Sequence, residues 1–234
     1  KQIAEIDRAK NKPLPDGFKD FTPSEIDKIK SGAKHAALPY QESGTKPSNA
    51  ICYELYVQEK HDNGKLELRF EASKKLFGEK SLAGAFNVYD LLQKNRFNKS
   101  FAVTAGQHLE YSWDKAADGA YDIAIHGPNG YYQKLVSRGG VEPLKVKISY
   151  SAKSNLLIHV ENLTASTHQI ILQNAYTKRN QTVSLKPNKS TTIEINTQDL
   201  GRWYDVTLKV EGWQRQYAGR MENGKPSISD PLMA

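Results

Sequence analysis

Sulfur is scarce in this 234-residue chain, which holds one cysteine, Cys52, and two methionines. A lone thiol excludes an internal disulfide and any multi-thiolate zinc or iron–sulfur site. No stretch approaches the ~20 apolar residues that a membrane-spanning helix requires. The opening residues, Lys1-Gln2, bring neither a methionine nor an apolar signal core, so the chain reads as a mature form or a fragment. Catalytic and metal-binding patterns are missing too. The six histidines (His35, His61, His108, His126, His159, His168) never fall within four residues of one another, so no helical metal pair is present. There is no Gly-x-Ser-x-Gly elbow, no phosphate-cradling glycine loop and no Asp-x-Asn-x-Asp calcium loop. Cys52 sits inside an alternating apolar run, where a thiol is structural or inert.

The charge balance is informative. Lys and Arg number 33 against 26 Asp and Glu, a net +7 with a pI near 9.2. Residues 1–49 carry 9 basic and 7 acidic side chains, residues 50–140 carry 12 and 11, and residues 141–234 carry 12 and 8. The excess is concentrated in the last third. It suits weak attraction to phosphate-bearing partners, and an ordinary solvated basic surface is the plainer account.

Three segments emerge along the chain. In residues 1–49, Thr22-Pro23-Ser24-Glu25 has the form of a capping box with proline at the first helical position. Ile26 and Ile29 share one helical face, and Gly32 is a stop. The stretch Leu38 to Asn49, with two prolines and a glycine, reads as an extended linker. From residue 50 the period becomes two. Ile51, Tyr53, Leu55 and Val57 alternate with polar or smaller residues, Asp62-Asn63-Gly64 turns the chain, and Leu66, Leu68 and Phe70 alternate on the return. Further strands are expected at 85–89, 99–104, 108–113, 121–126 and 131–137, with turn residues between them. Seven strands in about 90 residues is the pattern of an immunoglobulin-like sandwich.

The pattern then repeats, with strands expected at 144–150, 156–161, 169–174, 181–185, 191–196, 203–210 and 213–219. Ala120-Tyr121-Asp122-Ile123 parallels Trp203-Tyr204-Asp205-Val206, and Tyr132-Gln133-Lys134 parallels Trp213-Gln214-Arg215. The fold expected is therefore all-β. Two tandem immunoglobulin-like β-sandwich domains, 50–140 and 141–234, follow a short helix and an extended linker, with Glu142-Pro143 as a very short seam. Tyr121, Ile123 and Ile125 face a core, as do Tyr204, Val206, Leu208 and Val210, while Asp122 and Asp205 point away.

One constellation could serve as a surface. Strand geometry puts Trp213, Arg215 and Tyr217 on one face, Arg202-Trp203 opens the preceding strand, and Tyr131-Tyr132 with Lys134 is the counterpart in the first copy. Aromatic rings interleaved with cations can dip into a lipid interface or seat a quaternary ammonium. The alternative is that these rings fill the sandwich with arginine stems packed across them. Asn-x-Ser/Thr triplets begin at Asn98, Asn162, Asn180 and Asn188, a short pattern that chance supplies in a polar β chain.

Longer segments carry a resemblance. Gly201-Arg202-Trp203-Tyr204-Asp205 and Tyr217 through Pro231, with Leu38-Pro39, Gln41 to Pro47, Tyr53-Glu54-Leu55, Phe86 to Asp90 and His126 to Tyr131, resemble the C-terminal region of bacterial phosphocholine-specific phospholipases C, of the haemolytic and non-haemolytic type. The resemblance implies a parent enzyme that hydrolyses phosphatidylcholine, and in some members sphingomyelin, to phosphocholine and a neutral lipid. Its chemistry would reside in an upstream domain of the alkaline-phosphatase type. This chain would hold no catalytic residue, no cofactor and no metal. The partners implied are that catalytic domain and a phospholipid surface, with no nucleic acid, in a monomer exported to the periplasm or the medium. A positioning module, a purely structural tail, and a carbohydrate-binding or adhesion module are the three roles left open.

Overall fold

The structure, a computed structural model, describes residues 20–31, 43–62, 64–92, 98–151 and 154–233. It divides into two units, Lys1–Ser43 and Gly44–Ala234. In the first unit, the helix α1 (Pro23–Lys30) begins as its sequence dictates. The Thr22 side chain accepts from the Glu25 amide at 3.3 Å, and the Glu25 carboxylate accepts from the Thr22 amide at 2.9 Å. The expected stop at Gly32, the start of the linker and Asn63 of the first hairpin turn lie outside the described residues.

In the second unit the alternating runs become strands. These are β1 (Pro47–Ser48), β2 (Leu55–Asp62), β3 (Lys65–Ala72), β4 (Gly84–Asp90), β5 (Asn98–Val103), β6 (Gln107–Asp114), β7 (Tyr121–His126) and β8 (Tyr132–Ser137). They continue as β9 (Leu144–Tyr150), β10 (Leu156–Asn162), β11 (His168–Asn174), β12 (Arg179–Leu185), β13 (Ser190–Ile195), β14 (Trp203–Val210), β15 (Trp213–Arg220) and β16 (Ser227–Ile228). All pairings are antiparallel, and the fold is an all-β sandwich.

The strands of the two halves occupy the same places. In the first half β2-β3-β6 form a three-stranded sheet and β8-β7-β4-β5 a four-stranded row; in the second, β9-β10-β13 and β15-β14-β11-β12 repeat that order. Each half has its own core between its sheets. Leu66, Leu68, Phe70, Phe86, Ile123 and Leu135 lie at the centre of one, and Leu156, Ile158, Ile170, Val206 and Leu208 at the centre of the other. Phe70 stacks on Phe101 at 4.7 Å and lies 5.2 Å from Phe86.

How the halves join is not visible in the strand pattern. β15 pairs with β8, from Trp213 opposite Ser137 to Ala218 opposite Tyr132, so the two four-stranded rows form one eight-stranded sheet. Shared backbone hydrogen bonds couple the two cores. Phe70→Ala in the first core and Ile158→Ala in the second are each expected to cost about 2–5 kcal/mol. Either change should shift one common denaturation transition. Tryptophan fluorescence and far-UV circular dichroism, followed against urea, check this, and two resolved transitions would show the halves unfolding separately.

Candidate functional site

Strand alternation turns Trp213, Arg215 and Tyr217 toward the interior, where all three are buried. A guanidinium with 0% of its side chain exposed must find partners, because an unpaired charge is prohibitively costly there. Arg215 uses every nitrogen. Nε donates to both Glu59 oxygens, at 2.7 and 3.0 Å, and Nη1 donates to the carbonyls of Val136 and Gln214. Nη2 donates to the Tyr121 hydroxyl and, at 3.2 Å, to Glu142. The Trp213 ring lies 4.4 Å from the guanidinium carbon and the Tyr121 ring 5.4 Å.

Glu142 is the hub on the seam. It accepts from Tyr121 at 2.7 Å and from the Trp213 indole at 3.0 Å, and Lys115 Nζ stands 3.6 Å away. The His61 ring lies between the two carboxylates, with Nε2 3.1 Å from Glu59 and Nδ1 3.5 Å from Glu142. Burial by itself would raise the Glu59 carboxyl, but the Arg215 guanidinium and His61 more than offset it and hold it down at about 2. Burial also opposes the Arg215 charge, and Glu59 outweighs it, so Arg215 sits above its ordinary value. Burial is the main cause that pushes the Tyr121 hydroxyl up, out of the physiological range. The cluster is closed, internally neutralised and fully hydrogen-bonded at the guanidinium. It can join two halves; it offers no open position to a substrate.

The expected aromatic–basic surface is therefore corrected. Trp213, Arg215 and Tyr217 form an interior row. Trp203 is also buried, its indole donating to the Ile228 carbonyl at 3.0 Å, and Tyr131 is buried with its hydroxyl 2.6 Å from Gln133. Arg202, with a positive φ of 71°, donates to the carbonyls of Met221, Lys225 and Pro226. Tyr132 and Lys134, like Arg202, are partly exposed. Lys134 pairs with Asp122, and Tyr132 lies 4.8 Å from His126. The alternative reading, rings filling the sandwich with an arginine stem across them, describes what is seen. Glu59, Tyr121 and Glu142 complete the cluster and match no catalytic or binding motif in the sequence. Their available signal was a charged side chain continuing an inward row, Leu55, Val57, then Glu59.

A second constellation fastens the ends of this unit. β1 pairs with β16, Lys46 and Ser229 exchange hydrogen bonds, and Tyr176 donates to Asp230 at 2.8 Å. Arg220 donates to Ser48 at 2.7 Å, while Glu222 accepts from Asn129 and from the Ile51 amide. A Cβ on Gly201, whose φ is 63°, would collide with Ile228, so the tail packs directly on that backbone. Among the described residues, no three His, Cys, Asp or Glu side chains converge to hold a metal ion, and no helix is long and apolar enough to cross a membrane.

Comparison with known proteins bears on this architecture. Residues 47–136, from β1 into β8, match the family described as bacterial phospholipase C, C-terminal domain. A non-hemolytic phospholipase C of Pseudomonas aeruginosa is 32% identical over 215 residues, covering 85% of this chain and 30% of that protein. A non-hemolytic phospholipase C of Burkholderia pseudomallei is 29% identical, covering 85% of this chain and 29% of that protein. The chain carries a bacterial phospholipase C C-terminal domain. A hemolytic phospholipase C of P. aeruginosa is also similar, at 25% identity over 84% of this chain and 31% of that protein. The chain thus spans about 30% of the length of these relatives. The similarity extends well beyond residue 136.

Arg215→Ala in this phospholipase C C-terminal domain should cost about 3–5 kcal/mol, because Glu59 would remain buried without the guanidinium and Glu142 would keep only Lys115 as a lysine or arginine partner. Glu59→Ala combined with Arg215→Ala should cost less than the sum of the two single changes, and strict additivity in urea titrations would deny the coupling. The pH dependence follows from the same pair. A depressed carboxyl stabilises the fold fully above its unfolded value and loses that contribution as pH falls through the folded one. Stability should therefore drop between about pH 4 and pH 2, at up to about 1.4 kcal/mol per pH unit from Glu59. Glu59→Gln should be less stable at neutral pH yet show a flatter acid decline, as read by thermal unfolding across that range.

Proposed function

We propose that this chain is a non-catalytic support and positioning module of a phospholipase C. The parent enzyme would hydrolyse phosphatidylcholine, and sphingomyelin in a broader specificity, to phosphocholine and diacylglycerol or ceramide. It would act as an exported, secreted or periplasmic protein. The observation that carries this reading is the buried Arg215–Glu59–Glu142 cluster. The chain's most elaborate polar constellation joins two sandwich halves and leaves no open coordination or nucleophile for substrate. The β1–β16 clasp supports the same role, since it fixes the path by which the chain enters the fused body. We read the matching strand orders as tandem copies of one immunoglobulin-like unit. Buried Trp113, Trp203 and Trp213 remove the tryptophan platform that a sugar-stacking module would need.

Two measurements test the proposal. The purified chain should release no phosphocholine from phosphatidylcholine; turnover by the chain alone would overturn the reading. The parent phospholipase C carrying Arg215→Ala should unfold at lower temperature, yet retain its rate on a soluble short-chain substrate when assayed well below that temperature.

A further inference from the structure

On the solvent face of the three-stranded sheet β9-β10-β13, chemistry converges that the joining cluster does not use. Lys147 of β9, His159 of β10 and Thr192 of β13 stand opposite one another across the ladder, with Lys145, Glu161 and Ser190 in the adjoining row. Opposed side chains in such pairs come within direct reach. Ser149 Oγ lies 2.7 Å from His159 Nε2, and His159 Nδ1 lies 2.9 Å from Thr192 Oγ1. Lys145, Lys147, His159, Ser190 and Thr192 border a shallow cleft of about 390 Å³, and the Glu161 carboxylate lines it beside Lys145.

The hydrogen-bond arithmetic leaves donors to spare. If Ser149 donates to Nε2, then Nδ1–H donates to Thr192 and the Thr192 hydroxyl hydrogen is unspent. If the tautomer is reversed, Thr192 donates to Nδ1, Nε2–H donates to Ser149, and the Ser149 hydrogen is unspent. Either way the imidazole is held in place and one hydroxyl donor remains beside the lysines. Lys147 has no carboxylate within ion-pair distance among the described residues. Lys145 has only Glu161, at 4.0 Å, with both side chains half exposed. Glu194, farther along this face, is engaged by Asn155 at 2.7 Å. A free ammonium, a second ammonium weakly paired and one hydroxyl donor beside a concavity complement a compact, multiply accepting anion.

We propose that this face holds a binding site for a phosphate oxyanion, with Lys147 as the principal charge and the Ser149–His159–Thr192 chain as the donor scaffold. The phosphate could belong to free phosphate or to a lipid headgroup. Only the lipid source rests on the positioning role above; capture of inorganic phosphate would stand without it.

The 234-residue chain, titrated with inorganic phosphate against chloride at matched ionic strength, is expected to show saturable amide shifts centred on Lys147, His159 and Thr192. Lys147→Gln should weaken binding roughly three- to tenfold, and Thr192→Val should weaken it as well. Lys209→Gln, on the large sheet, should leave it unchanged. Pelleting with vesicles of phosphatidylcholine plus phosphatidylglycerol, at low and high salt, identifies the lipid source if Lys147→Gln reduces it. Vesicle binding sensitive to Lys147→Gln, even with weak inorganic phosphate binding, supports the site. No binding in either arm, equal shifts with chloride, or binding equally reduced by Lys147→Gln and Lys209→Gln would overturn it.

Discussion

A positive charge with no exposure to water governs the arrangement of the second unit. Arg215 belongs to β15, Glu59 to β2, Tyr121 to β7 and Glu142 to the seam, so satisfying one guanidinium requires both halves to be in place together. Removing two charges from water costs several kcal/mol per ion before any attraction is counted. The cluster's benefit is therefore specific placement more than net stability. Any relative shift of the halves would strand Arg215, Glu59 or Glu142 without a partner. The β15–β8 backbone pairing sets direction and register at the joint, and the ion cluster penalises departures from it.

The joint is also lined by buried hydroxyls. Tyr150 and Tyr204 share a hydrogen bond of 2.9 Å, and Tyr56 of the first half lies 5.9 Å from Tyr150. Burial is the main cause that pushes the Tyr150 hydroxyl up, to about 12, so it stays neutral and can only trade hydrogen bonds. Tyr121 and Tyr204 each stand before an Asp near the start of a strand, yet one serves a charged cluster and the other a neutral pair. β15 and β8 hold corresponding places in the two strand orders, so both halves present the same edge to the joint, and the asymmetry lies in the side chains: Tyr121 meets Arg215 and Glu142, whereas Tyr204 meets Tyr150.

Much of this fold was legible in the alternation of apolar residues. Thirteen of the fourteen strands expected occur where period-two runs and turn residues placed them, because strands bury one face, as in Phe86 and Val88 of β4; the first is displaced, running from Leu55 to Asp62 where the alternation had begun at Ile51. The two-residue strands β1 and β16 were not legible, since a pair that short has no period to read. The shared sheet was illegible for another reason. β8 and β15 look like ordinary strands, and nothing in a strand's own sequence states which neighbour it will pair with.

The misplaced surface has a sharper cause. Matching Tyr132-Gln133-Lys134 to Trp213-Gln214-Arg215 by residue type aligns Lys134 with Arg215. In the fold Gln133 is buried and Lys134 faces out, whereas Trp213 and Arg215 are buried and Gln214 faces out. The type match is off by one residue, and a slip of one transfers a side chain to the opposite face of a strand. The correct alignment follows the apolar period, Tyr131, Gln133, Leu135 with Trp213, Arg215, Tyr217. Read that way, Arg215 is an arginine on an inward row, and a charge on such a row demands an opposite charge on a facing one. Glu59, two places beyond Val57 on the inward row of β2, meets that demand. The ion pair was thus within reach of the sequence once polarity was judged against the strand's period instead of against the chemistry of exposed aromatic rings.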